Sequence, residues 1–242
     1  MSPPKSGNAP GPRGGEPSSK KFKHASASFL DTKSLVTFIV GPDGNTTEFI
    51  VHKEIVCHHS KVLNAAFNSE FVEGLTQTYR LNDFGEGTFK FAIQWMYSQK
   101  LNLLHKDANH ASDETTMLED RKQISDLTEL WVLADRIAMP NLQNAAIDAL
   151  HSMCLAHKFL QSEDLLIDKY QYIYQNTSYG SQLRKYILAP FIYRVVEPGF
   201  IENHAEDCPK EMLVDISEMH LSGYFAMTRD IKARKFYVDI DA

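Results

Sequence analysis

Two clusters of cysteine and histidine are the residues whose types could bind a metal ion. Cys57-His58-His59 is a run of adjacent residues, and His151, Cys154 and His157 recur at every third position. Thiolates and imidazoles are the usual ligands of zinc, but adjacent residues cannot easily converge on one tetrahedral ion. On a helix, the second set would spread too widely around the axis. We therefore expect Cys57 and Cys154 to be small buried apolar residues, with no metal and no cofactor bound.

Catalytic chemistry needs a nucleophile with a local base, and the sequence offers no such pair. It contains no phosphate-binding glycine loop and no Gly-x-Ser-x-Gly turn. His52 follows an apolar run, and we expect it to be a hydrogen-bonded structural residue rather than a base. The sequence therefore predicts a protein that is not an enzyme and that acts through its surfaces.

The elements that position these residues begin with a β-hairpin and two short helices. Leu35–Val40 and Thr46–Val51 are rich in strand-forming residues, and Gly41–Asn45 between them has turn chemistry. Lys53–His58 is too short to form a helix without tertiary support. Ser60 is a good N-cap for the next helix, because its hydroxyl can accept a backbone N–H of the first turn. The second strand is thus followed directly by a short helix and then by a second helix with Ser60 as its N-cap.

Amphipathic helices dominate the rest of the chain. Phe89–Tyr97 and the two segments on either side of Pro140 repeat apolar residues at helical spacing. The latter two segments predict a helical hairpin. Residues 105–123 are polar, and we expect an insertion loop there. Short strands are expected at Tyr79–Leu81 and Leu101–Leu103. Further helices are expected over Ser162–Tyr174, Ser181–Val196 and Lys210–Met219.

Charge and composition limit the classes of partner. Of 242 residues, 43% are apolar, and the net charge is −6. Five basic residues against Glu16 give residues 1–30 a charge of +4, which leaves −10 for the remainder. Because so acidic a body would repel a phosphate backbone, we expect no direct nucleic-acid binding. No apolar run reaches the roughly 18–20 residues that a membrane helix needs, so we expect no membrane partner.

The N-terminal segment and the cysteines bear on location. Residues 1–30 are rich in Pro, Gly and Ser and lack apolar periodicity, which predicts a disordered tail. The segment has no apolar centre of the kind found in secretory signals, and three widely spaced cysteines suit a reducing compartment. We therefore expect the protein in the cytoplasm, the nucleus or both. Lys20-Lys21-Phe22-Lys23 is either a nuclear-import signal or part of a solvated basic tail.

Five segments, in order along the chain, resemble the BTB/POZ domain. They are Val36–Gly41, Phe49–Val56, Ser60–Phe67, Phe89–Tyr97 and Leu130–Leu142. The resemblance implies an α+β fold with a short mixed sheet and a cluster of helices. The domain would occupy residues 31–150, with the polar insertion at about 105–123, and an all-helical extension would follow over residues 151–242.

The C-terminal part carries a resemblance of its own. Tyr174–Thr177 followed by Ser181–Arg184 is similar to the helical extension in BTB-domain proteins of filamentous fungi. This similarity implies an architecture for the extension rather than an activity.

The resemblance also implies partners. BTB proteins that bind a cullin ubiquitin-ligase scaffold carry a hydrophobic-x-Glu motif after the helix that begins at Ser60 here, and Phe71-Val72-Glu73 occupies that place. Phe71 would fill a pocket on the cullin, and Glu73 would accept a charge-assisted hydrogen bond at its rim. The alternative is that Phe71 caps the local core and Glu73 is a solvated loop residue. The expected function is an adaptor that recruits an unknown substrate protein to a cullin-RING ubiquitin ligase.

Self-association is implied through the hairpin and the first helix. The expected product is an isologous homodimer with Leu35, Phe38 and Lys53 at its interface. Many family members open the first strand with an Asp that faces a basic residue. Leu35 takes that place here, although Lys53 matches the basic partner, so the zinc-finger-repressor style of dimer pocket is weakened. The alternative function is a non-ligase scaffold or a transcriptional co-regulator that acts through BTB self-association.

Overall fold

A small mixed sheet and a larger set of helices make up the structure. The computed structural model describes residues 33–103, 114–156, 166–192, 199–221 and 232–240. The sheet consists of β1 (Leu35–Val40), β2 (Thr47–His52) and β3 (Thr78–Leu81), in the order β2-β1-β3. β1 is antiparallel to β2 and parallel to β3. The predicted hairpin and the predicted third strand are therefore confirmed.

The turn of the β1–β2 hairpin depends on glycine. Gly41 has a φ of +110°, in the region that disfavours other residues, and a Cβ there would lie 2.5 Å from the carbonyl oxygen of Asn45. Gly44 also has a positive φ, of +88°, as the turn chemistry predicts. The backbone N–H of Asn45 donates to the carbonyl of Pro42 at 2.9 Å, which closes the turn.

Helices follow the hairpin along the chain. They are α1 (Lys53–His59), α2 (Lys61–Phe67), α3 (Val72–Thr76), α4 (Glu86–Ser98), α5 (Glu114–Arg136), α6 (Pro140–Ala156), α7 (Tyr170–Asn176), α8 (Gln182–Ile192), α9 (Phe200–Asn203) and α10 (Lys210–Leu221). Two 3-10 turns lie at Ile167–Lys169 and Ala233–Phe236. The predicted α+β class with a helical C-terminal region is confirmed. Across the described ranges, no helix is both long enough and apolar enough to cross a membrane.

Alternation along the strands turns one sheet face toward the helices. Val36, Phe38 and Val40 of β1 are each 1% exposed. The Phe38 ring packs edge-on against Phe67 of α2, with centroids 5.7 Å apart, and lies tilted against Phe89 of α4, with centroids 4.7 Å apart. Because side chains alternate between the two faces of a strand, the intervening residues of β1 point away from this core.

α5 and α6 form the helical hairpin predicted around Pro140. Ala138 takes a φ of +50° in the joint, and the N–H of Met139 donates to the carbonyl of Ala134 at 2.8 Å. Pro140 is the first residue of α6, a position where the missing N–H costs no helical hydrogen bond. The tight reversal lets the two helices pack against each other.

Residues 232–240, at the C-terminal end of the extension, pack onto α6 and α8. The side-chain amide of Asn144 donates to the carbonyl of Val238 at 3.1 Å and accepts the Val238 N–H at 2.8 Å. Phe236 is 1% exposed and packs edge-on against Tyr186 of α8, with centroids 5.4 Å apart. The extension and the helical hairpin therefore share one core.

The predicted insertion loop differs most from the structure. Within residues 105–123, the chain is helical from Glu114 onward, as the first turns of α5. The polar side chains Thr116, Asp120 and Gln123 are buried there. The absence of apolar periodicity therefore concealed a helix that buries polar groups. Residues 104–113 lie outside the described residues.

Other predicted boundaries also need correction. Leu101–Leu103 is not a strand, and the Asn102 N–H donates to the Gln94 side chain at 2.8 Å instead of to a strand partner. In the described part of the Ser162–Tyr174 segment, Leu166 is helical, Ile167–Lys169 is a 3-10 turn and α7 begins at Tyr170; residues 162–165 lie outside the described residues. The helices at α8 and α10 match their predictions in the described ranges, whereas α9 has no counterpart in the sequence prediction. The tail at residues 1–30 lies outside the described residues.

Candidate protein-interaction surfaces

Three large apolar side chains between α2 and β3 are exposed to solvent. Phe71, Val72 and Leu75 are 76%, 69% and 76% exposed. Phe71 is the N-cap of α3, and the other two lie on α3. Leu75 is four residues from Phe71 and three from Val72, so the side chains are neighbours on the helix surface. We call these three side chains the α3 patch. Its exposure rules out the alternative that Phe71 packs into the local core.

Polar contacts tie α3 to the end of α2. The hydroxyl of Ser69 donates to the Ala66 carbonyl at 2.8 Å and accepts the Phe71 N–H at 3.2 Å. At the other end, the side-chain amide of Gln77 donates to the Phe67 carbonyl at 3.0 Å. Both ends of the short helix are therefore anchored, and the α3 patch is presented by a fixed segment.

Gly74 lets α3 lie against the loop that precedes it. A Cβ at Gly74 would overlap the carbonyl oxygen of Ser69, so the close approach requires glycine. Gln77 then ends α3 in the left-handed conformation, with a φ of +50°. The direction of the α3 patch thus depends on residues that are not themselves part of it.

Glu73 provides the charge beside the α3 patch. It lies in the first turn of α3 and is half-buried. Burial raises the pKa of the Tyr79 hydroxyl, and the negative charge of Glu73 raises it further. The site therefore combines an exposed apolar surface with an adjacent carboxylate, which can accept a hydrogen bond from a partner's donor.

The residues expected at a dimer interface lie in three different environments. Leu35 is 46% exposed at the start of β1. The Lys53 ammonium donates to the Phe67 carbonyl at 2.8 Å, at the C-terminal end of α2, where a cation is favourable. Phe38, in contrast, belongs to the chain's own core. A ring buried there offers no surface to a second copy, so its assignment to an interface is corrected. Leu35 and Lys53 stay predictions.

The Cys57-His58-His59 run makes contacts that stabilise the fold. The His59 Nε2–H donates to the Met96 carbonyl at 3.0 Å, and the ring packs edge-on against Trp95 with centroids 5.3 Å apart. Burial raises the pKa of the Cys57 thiol, which disfavours the thiolate that a metal would need. Among the residues that the structure describes, no group of three potential ligands comes together. His157 of the second cluster lies outside them.

His52 makes hydrogen bonds at the strand–helix corner. Its ring Nδ1 is hydrogen-bonded to the Tyr97 hydroxyl at 2.7 Å, and its backbone N–H donates to the same oxygen at 3.2 Å. The predicted hydrogen bonding of His52 at this corner is therefore confirmed. Tyr97 lies at the end of α4, so this contact joins the hairpin to that helix.

A cavity of about 330 Å³ lies between α8 and α10 in the extension. Leu188 and Met219 line it together with Arg184 and Asp215. Arg184 Nη2 donates to the Tyr174 carbonyl at 2.8 Å, and the Tyr174 hydroxyl donates to Asp215 Oδ2 at 2.8 Å. Burial, and then the hydrogen bond to Asp215, raise the pKa of Tyr174, which keeps the hydroxyl a donor. The cavity wall is therefore held by internal hydrogen bonds. No motif in the sequence indicates this site, because its residues come together only when α8 packs on α10.

Comparison with known proteins supplies the family. The sequence model of the BTB/POZ domain matches residues 28–153, more than half of the chain. A search of curated proteins found no match. The matched range contains the sheet, the helical hairpin and the α3 patch, and BTB domains are protein–protein interaction modules. On this match and on the fold, the chain belongs to the BTB/POZ domain family.

Proposed function

We propose that this protein is an adaptor that joins a cullin scaffold to a substrate protein. The α3 patch and Glu73 bind the cullin, and the extension over residues 151–242 contributes to substrate recruitment. The chain self-associates as a homodimer and carries out no catalysis of its own. It acts in the cytoplasm, the nucleus or both.

The exposure of Phe71 carries this proposal. Fully burying a phenylalanine side chain is worth about 1.5–3 kcal/mol, and the free chain leaves most of this ring in water. Clustered exposed apolar side chains are typical of interaction sites. A partner pocket that covers Phe71 would also cover Val72 and Leu75, because one short helix presents all three.

Glu73 adds specificity to the proposed contact. A partner that places a hydrogen-bond donor beside this carboxylate gains binding free energy. A partner that buries the carboxylate without a donor loses binding free energy, because the charge is then desolvated and unpaired. This pairing of an aromatic anchor with a rim charge is the arrangement that the cullin-binding resemblance implies.

The extension offers the second contact that an adaptor needs. The cavity between α8 and α10 has apolar lining from Leu188 and Met219 and charged groups from Arg184 and Asp215. Its volume suits one bulky side chain of a substrate. It lies on different elements from the α3 patch, so both partners can be contacted through separate residues.

Isothermal titration of the full chain with the N-terminal domain of a BTB-binding cullin tests the proposal. We expect the wild type to bind and the Phe71→Ala/Glu73→Ala double variant to bind at least about tenfold more weakly, because truncating a central anchor costs about 2 kcal/mol or more. Leu118→Ala is the matched control, because Leu118 on α5 is 69% exposed and lies outside the α3 patch. The control is expected to bind as the wild type does.

Two other outcomes are informative. Unchanged binding by the double variant would contradict the α3 contact. A wild-type chain that binds no such cullin domain would contradict the ligase role and favour the scaffold or co-regulator. In that case, affinity purification with mass spectrometry defines the partners. Localisation with Lys20, Lys21 and Lys23 replaced then tests for action in the nucleus.

A further inference from the structure

The sheet face that points away from the core carries exposed apolar side chains. Ile50 of β2 is 68% exposed and Leu35 of β1 is 46% exposed, while Thr37 and Ile39 between them are half-buried. We call Leu35, Thr37, Ile39, Glu48, Ile50 and Arg80 the outer sheet face. A β-sheet is stable with one solvated face, but isoleucine and leucine on that face favour a partner surface.

One row of the outer sheet face, across the three strands, has a negative residue at one edge and a positive residue at the other. Ile39 on the central strand is in register with Glu48 on β2 and with Arg80 on β3. Two strand spacings, about 10 Å, separate the two charged residues, which is too far for an ion pair within one copy. Both side chains are exposed, and among the described residues neither forms an ion pair or a side-chain hydrogen bond.

We propose that the outer sheet face binds the same face of a second copy, about a two-fold axis parallel to β1. Rotation about this axis places β2 of one copy over β3 of its partner. Glu48 then faces Arg80 of the partner subunit, and Arg80 faces the partner's Glu48. Ile39 packs on the partner's Ile39. The in-plane axis perpendicular to β1 would instead place like charges opposite each other, so the charge pattern selects one arrangement.

This inference rests on the self-association in the proposed function and gives it an interface. The central strand contributes Leu35, which is one of the residues expected there, whereas Phe38 lies on the other face of the same strand. A stable dimer buries about 800 Å² on each partner, and a three-stranded face is smaller. We therefore expect a weak dimer, micromolar or weaker, whose affinity falls as salt is raised.

Charge reversal tests the arrangement by sedimentation equilibrium of the full chain. Glu48→Arg and Arg80→Glu each convert two attractive contacts per dimer into repulsive ones, so each is expected to weaken dimerisation about tenfold or more. The double variant Glu48→Arg/Arg80→Glu restores opposite charges and is expected to dimerise as the wild type does. An equimolar mixture of the two single variants is expected to form a heterodimer that is tighter than either variant alone.

Glu202→Arg and Lys210→Glu are matched controls, because both residues are exposed charges in the extension. They are expected to leave dimerisation unchanged. If the single variants at positions 48 and 80 dimerise as the wild type does, the outer sheet face is not the dimer interface, although the chain still self-associates. A wild type that stays monomeric at all concentrations would overturn both. The cullin titration with the Phe71→Ala/Glu73→Ala variant reads out the adaptor contact separately.

Discussion

At the scale of single residues, Ser60 links two distant parts of the chain. Its hydroxyl accepts the Leu63 N–H at 3.0 Å, as the N-cap of α2, and donates to the Ile137 carbonyl at 2.5 Å. The side chain is 0% exposed. The cap was predictable from the sequence, because it depends on the next turn alone. The bond to Ile137 was not, because it depends on how the helical hairpin packs on α2.

Ser60→Ala is expected to lower the free energy of unfolding by about 2–4 kcal/mol. The substitution removes a cap worth about 1 kcal/mol and leaves the Ile137 carbonyl buried without its donor, which costs about 1–3 kcal/mol. Urea unfolding of the full chain measures the change. Ser217→Ala is the control, because the Ser217 hydroxyl makes one exposed bond to the Leu213 carbonyl within α10. Equal stabilities of the two variants would contradict the role of Ser60.

At the scale of elements, α3 decides whether the α3 patch exists. A five-residue helix is too short to be predicted from periodicity. The motif therefore indicates Phe71 and Glu73 but not Leu75, whose position four residues after Phe71 matters only in a helix. The ties from Ser69 and Gln77 hold the short helix in place.

Gly74→Ala is expected to displace α3 from the preceding loop. The added Cβ would overlap the backbone oxygen of Ser69, and backbone cannot move aside as a side chain can. We expect a loss of about 1–3 kcal/mol in stability and faster amide hydrogen exchange over residues 69–77. Gly85→Ala is the control, because a Cβ at Gly85 would meet nothing closer than 3.6 Å. Unchanged exchange in Gly74→Ala would show that α3 has room for a side chain there.

At the scale of the whole molecule, two acidic residues of α5, Asp126 and Glu129, lie where the BTB/POZ domain contacts the extension. Glu129 accepts hydrogen bonds from Lys169 of the extension and from Thr88 of α4, each at 3.0 Å. Asp126 lies against Gly87, where a Cβ would overlap its carboxylate. Burial, and then the charge of Glu129, raise the pKa of Asp126 to about 6. The junction therefore holds a carboxyl group that titrates as the pH approaches neutrality.

Asp126→Asn is expected to change the pH dependence of stability. The pKa of Asp126 is raised in the folded chain from an ordinary 3.8, so its stabilising contribution is full below about pH 4 and is lost as the pH rises through about 6. The shift corresponds to about 3 kcal/mol, and solvent screening of a half-exposed group reduces this to about 1 kcal/mol. In urea unfolding, the stability of the variant relative to the wild type is expected to increase by about that amount from pH 4 to pH 7.

Asp83→Asn is the control of opposite sign. Hydrogen bonds from the Arg136 guanidinium, at 2.8 and 2.7 Å, lower the pKa of Asp83. Its contribution is present at neutral pH and is lost as the pH falls through the lowered value. The variant is therefore expected to be less stable than the wild type at pH 7, with a gap that narrows in acid. Parallel pH curves for both variants would contradict the assignment of these two carboxyl groups.

The sequence by itself determined the elements that depend on neighbours along the chain. The hairpin with its glycine turn, the Ser60 cap and the helix start at Pro140 each follow from the chemistry of a few consecutive residues. The order of these elements also indicated the BTB/POZ fold. Local rules suffice here, because turns, caps and amphipathic periods form within one or two turns of backbone.

Only the tertiary structure decided which side chains are exposed and which lie in one row of the sheet. Phe38 and Phe71 are both phenylalanines followed by a β-branched apolar residue, yet one lies in the core and the other is 76% exposed. Glu48 and Arg80 share a row only because β3 pairs in parallel with β1. Burial and cross-strand alignment depend on contacts between distant segments. For that reason, the exposure of Phe71 and the alignment of Glu48 with Arg80 could be identified only in the folded chain.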